Sequence, residues 1–142
     1  MNTLQHKPVI IHPDLHTDLL QMQGKIGYIS TANLQRDDFF IDFQTGKTGL
    51  YSASALLVLR PHAAVYKALM APGEPLQKEE FKTLMRISML LQSPGYQNPA
   101  DGLRLALSTP KLLQLATQPL AEQLGELLAW DQQKVANSAL SR

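Results

Sequence analysis

His12 and His16 are four residues apart, with Asp14 between them and Asp18 just beyond, the spacing in this chain best suited to metal chemistry. On a helix, positions i and i+4 share a face and could bring two imidazoles to one ion. Pro13 interrupts that face at its start, and His6 or His62 would have to arrive from elsewhere in the fold. An exposed turn accounts for the same residues, so no metal site and no cofactor is assigned. Gly46-Lys47-Thr48 has the ending of a phosphate-binding loop. That motif needs a glycine five residues before its last glycine, where Ile41 stands, and a helix behind it to present N–H groups to phosphate. A strand is expected there, which makes the segment a hairpin turn. Asp37-Asp38 and Glu79-Glu80 are paired carboxylates, but acid–base work needs two carboxyl groups converging on one substrate. Strand neighbours point to opposite faces, and glutamates in a first helical turn complement the helix dipole. Ser52 and Ser54 lack a nucleophile elbow. No catalytic residue is assigned, and the chain leans away from an enzyme.

A second set could bind rather than react: Tyr28, Phe40 and Tyr51, with Lys25 and Lys47 beside them and Arg36 and Arg60 nearby. Aromatic rings stack on bases or cage a cation, and lysines can meet phosphate. The alternative is that Phe40 packs beneath a C-terminal helix and completes a shared core. That covered arrangement is preferred, because a half-exposed sheet beside amphipathic helices is normally capped.

Extended segments must position these residues. Val9–Ile11 is a short β-prone run, and residues 13–22 could form a short helix or a 3₁₀ turn. Strands are expected at about 25–31 and 37–44, where Phe39, Ile41 and Phe43 alternate with Phe40, Asp42 and Gln44. Gly46 and Gly49 punctuate the join to a third strand near Leu50. The run from Ser52 to Ala55 is read as a turn before a last strand at Leu57–Leu59, which Pro61 closes.

This order resembles an SH3-like small β-barrel of the KOW or Tudor type over residues 24–61. The residues carrying the resemblance are Gly24 and Gly27, Asp38 to Phe43, and Gly49 to Ser52 with Leu56. It implies binding of peptides or nucleic acid on aromatic-bearing strands and loops.

Beyond Pro61 the pattern is helical. Helices are expected from Pro61 to about Met70, from Gln77 to Gln92, from Ala100 to Ser108, from Lys111 to Ala116, and after Gln118-Pro119; four of these five begin at or just after a proline, whose missing N–H costs nothing at a first helical position. Gln77 and Glu80 form a variant capping box, with Leu76 and Phe81 at its two staple positions. The Gln77–Gln92 helix is expected to bury Phe81, Leu84, Met85, Ser88 and Leu91. Met70, Met85 and Met89, with Leu90 and Leu91, make it apolar nearly all round, so this helix or the last one is expected to form a homodimer contact or a partner surface. The last helix is expected to bury Leu120, Leu124, Leu127 and Leu128.

The bulk numbers set the frame. In 142 residues, 44% are hydrophobic and 18% charged, enough apolar material for a core. The net charge of +1 gives nucleic-acid binding no general support. The absence of cysteine removes disulfides and thiolate chemistry, and it fits a reducing cytoplasm. No membrane partner is expected. The resulting expectation is an α+β protein: a small SH3-like antiparallel barrel or curled sheet at residues 9–61, packed on four to five short helices at 62–137 in one shared core. Its expected role is a non-enzymatic protein-interaction or accessory module, acting as a homodimer or with a protein partner. The alternatives are nucleic-acid binding through Tyr28, Phe40, Tyr51, Lys25 and Lys47, and a small-molecule or metal site near the N-terminal histidines.

Overall fold

The computed structural model of the chain describes residues 4–15, 20–71, 73, 75–92 and 100–125. The β-branched and aromatic runs form strands: β1 (Pro8–Ile11), β2 (Ile26–Asn33), β3 (Asp38–Asp42), β4 (Thr48–Tyr51) and β5 (Leu56–Leu59). A 3₁₀ turn at Ala53–Ala55 leads into β5, as expected from the serine–alanine run. The β3–β4 turn closes with the Gly46 N–H donating to the Phe43 carbonyl and the Phe43 N–H donating to that of Lys47. Gly46 sits there at φ +84°, a left-handed conformation that glycine adopts without steric cost. This settles Gly46-Lys47-Thr48 as a hairpin turn.

The helices are α1 (His62–Met70), α2 (Lys78–Gln92), α3 (Ala100–Ala106), α4 (Pro110–Ala116) and α5 (120–125). Residues 117–119 depart from expectation. The last helix begins just after Pro119, as expected, but Thr117–Pro119 itself forms a sixth strand, β6, antiparallel to β5, where no strand was expected. β5 would otherwise leave a row of backbone groups unpaired, and a proline is tolerated on an edge strand. The six strands form one antiparallel sheet in the order β4-β3-β2-β1-β5-β6, with β4 and β6 as its open edges.

Three apolar clusters hold these elements. Val9, Ile11, Ile29, Phe39, Ile41, Phe43, Tyr51 and Val58 fill one side of the sheet, joined by Leu120 and Leu124 of α5 as expected; Leu127 and Leu128 lie outside the described residues. On the other side, Ile10 and Leu57 pack with Leu103 of α3, a further apolar contact between the two halves. Val65, Leu69, Leu84, Ile87, Leu112 and Ala116 tie α1, α2 and α4 together. Strand β1 is therefore buried on both faces, which explains its unbroken apolar run.

Helix α2 is turned from its expected orientation. Leu84, Ile87 and Ser88 are buried, whereas Phe81 and Met85 are not. The capping box is present in its reciprocal half: the Gln77 N–H donates to Glu80 Oε1 at 3.2 Å. The other Glu80 oxygen accepts from Thr109 Oγ1 at 3.1 Å, and the same hydroxyl accepts from the Leu112 N–H to cap α4. One carboxylate thus joins the starts of two helices, and that gives Glu80 a structural role. Leu76 packs on the helical cluster, but its expected staple partner Phe81 lies open.

Candidate interaction surface

The five residues expected to bind are not gathered into one site. Phe40 projects from the face opposite Phe39, 40% exposed, and pairs with an exposed Leu50 on β4. Tyr51 pairs across the same two strands with Phe39, so it points the other way, and its ring meets Phe43 edge-on at 6.4 Å. Tyr28 is half-buried and faces Asp42. Lys25 precedes β2 and Lys47 lies in the hairpin turn, both exposed. Among the described residues, the expected helical cover does not bury Phe40: α3 packs on β1, β2 and β5, and α4 on β6. Phe40 sits on β3, towards the opposite edge of the sheet, beyond the span of those two short helices.

The paired carboxylates divide in the same way. Asp37, held at φ +56°, accepts from the Ala53 N–H at 2.9 Å and so ties the β2–β3 turn to the 3₁₀ turn. Ser52 and Ser54 face each other at 3.0 Å with no base between them. His12 Nδ1 accepts from the Asp14 N–H, which makes this histidine part of a local turn; His16 lies outside the described residues. Among the described residues, no three His, Cys, Asp or Glu side chains group as a metal site would require, and no helix is long and apolar enough to cross a membrane.

A further exposed apolar surface lies on α2, one of the two helices expected to offer a partner surface. Phe81, Met85 and Met89 recur every four residues and are 39%, 40% and 62% exposed. At about 100° per residue they form a stripe along one shoulder of the helix, beside the buried Leu84–Ser88 face. Lys78, Lys82 and Arg86, all exposed, run along the stripe's outer edge at the same spacing. The neighbouring α1 adds exposed Tyr66 and Met70. No protein-family model, no curated protein and no solved structure matches the chain. The surface must therefore be read from its own chemistry.

A second feature is electrostatic. Lys7, at the start of β1, is half-buried, and desolvation lowers the pKa of its ammonium below the usual lysine value. The unfolded chain therefore holds more protons at this position than the folded one, so stability rises with pH through the lowered pKa towards the ordinary lysine range. Lys7→Met removes the buried charge. It is expected to be more stable than wild type at pH 7, with the gap narrowing as pH climbs into the lysine range. Urea unfolding followed by circular dichroism at pH 7 and at alkaline pH checks this, and a gap that widens with pH would contradict it.

Proposed function

We propose that this protein is a non-enzymatic interaction module that receives an acidic amphipathic helix of a partner protein on α2. The observation that carries the reading is the exposed Phe81–Met85–Met89 stripe with its cationic edge. Apolar side chains at four-residue intervals match the anchors of a helix laid alongside, and methionines repack around varied partners. The cation row selects an acidic partner. It also disfavours a second copy of this chain, since an antiparallel pairing through the stripe would set one cation row against the other.

The order of β2 to β5, with a glycine turn and a serine-led 3₁₀ turn, supports the SH3-like resemblance, and an SH3-like unit serving as scaffold agrees with a binding role. The nucleic-acid alternative keeps exposed Phe40, Lys25 and Lys47, while Tyr51 is committed to the core side. Binding of oligonucleotides in a low-salt anisotropy titration, lost on Phe40→Ala, would move the assignment there.

The test is fluorescence anisotropy with a labelled helical peptide carrying leucines at i, i+4 and i+7 and glutamates around them. Saturable binding is expected. Met85→Glu should weaken it about tenfold or more, since a charge would enter an apolar contact, and replacing the peptide glutamates by lysines should do the same. Absence of binding, or indifference to peptide charge, overturns the reading. A dimer mass in sedimentation velocity that reverts to monomer on Met85→Glu would assign the stripe to self-association.

A further inference from the structure

A cleft of about 530 Å³ opens between the start of β1 and the end of β5, away from the exposed stripe of α2. Its walls are apolar, with Leu59 of β5, Leu91 of α2 and Leu103 of α3 among them, and its charged groups are of one sign. Lys7, His6 and Arg60 line it together with neutral Gln5 and Gln123, and the described lining holds no carboxylate. The only ion pair among the described residues joins Arg104 and Asp101, so neither Lys7 nor Arg60 has an acidic partner there.

Arg60 is held in place rather than neutralised. Its Nε donates to the Thr117 carbonyl at 2.8 Å and its Nη2 to that of Gln114 at 3.2 Å. These two bonds fix the guanidinium plane against β6 and α4, and Nη1 remains without a protein acceptor among the described residues. Carbonyl contacts leave the full positive charge unbalanced.

We infer that this cleft is a binding site for a small organic carboxylate with an apolar body, its anionic end between Lys7 and Arg60. A desolvated ammonium without a counter-ion is unfavourable in the free protein, and a bound carboxylate would relieve that by adding a charge-assisted hydrogen bond. The leucine walls would take the apolar body, as in most small-molecule sites, where a few polar groups orient a ligand in an apolar cavity. Free phosphate would leave those walls unused. The neighbouring cleft of about 680 Å³ shares Arg60 but also carries Asp14, whose charge opposes an anion.

The experiment is a ¹⁹F NMR titration of the full chain with 4-(trifluoromethyl)benzoate, beside the neutral 4-(trifluoromethyl)benzamide. Saturable benzoate binding is expected. The amide should bind about tenfold or more weakly, and Lys7→Met should weaken the benzoate by a similar factor, the size of one lost charge-assisted hydrogen bond. Lys7→Arg should restore binding, which separates the cation from any packing role of the side chain, and excess inorganic phosphate should not displace the benzoate. Absence of saturable binding, equal affinity for acid and amide, an unchanged affinity in folded Lys7→Met, or displacement by phosphate would each overturn the assignment.

Discussion

Replacing Phe39 by alanine is expected to destabilise the protein by about 3–5 kcal/mol, the usual cost of emptying a fully buried aromatic site. Phe39 has no exposed surface and belongs to the buried cluster with Ile29, Ile41 and Tyr51. Its neighbour Phe40 has the same side chain and is 40% exposed on the opposite face. Phe40→Ala is expected to cost below about 1 kcal/mol, in the range of surface substitutions. Total stability for a domain of this kind is about 5–15 kcal/mol, so the first change threatens the fold and the second does not. Urea unfolding of the two variants, followed by circular dichroism, measures the difference directly. Comparable losses would mean that the alternation of β3 does not separate a buried face from an open one.

Gly27→Ala is expected to be the next most damaging change, at about 1–3 kcal/mol, from overpacking rather than from a void. Gly27 lies buried near the start of β2. A Cβ there would fall onto Ile41 Cγ2 and within 2.9 Å of Phe43 Cε1, closer than carbon atoms approach. The neighbouring strand can be this close only because the side chain is missing. Gly125, the last described residue of α5, has open space where a Cβ would be added. Gly125→Ala should therefore stabilise the protein slightly, by up to about 1 kcal/mol, through helix propensity. Equal effects of the two substitutions in thermal unfolding would refute the close-packing account of Gly27.

The α2 stripe shows how far side-chain type alone reaches. Phe81, Met85, Met89 and Leu91 are all apolar, and nothing in that pattern states which shoulder of the helix meets α1 and α4. The choice follows from where Leu112 and Ala116 of α4 and Val65 of α1 come to lie, and those contacts are distant in sequence. Glu80 shows the opposite case. Its bond to the Gln77 N–H is local and could be anticipated from spacing, while its second oxygen reaches Thr109, 29 residues further on, by way of the tertiary fold.

What could be settled from residue order was the local part. The two-residue alternation of Phe39, Ile41 and Phe43 defined a strand and its buried face, Gly46 defined a turn, and prolines marked where helices begin. These preferences act over a few residues through backbone sterics and hydrogen bonding. Contacts far apart along the chain decided the rest. The pairing of Phe39 with Tyr51 turned Tyr51 inward, the reach of α3 and α4 left Phe40 open, and the unpaired edge of β5 drew residues 117–119 into a strand despite Pro119. Each depends on which surfaces remain uncovered once every other element is in place, and no short window of residues contains that information.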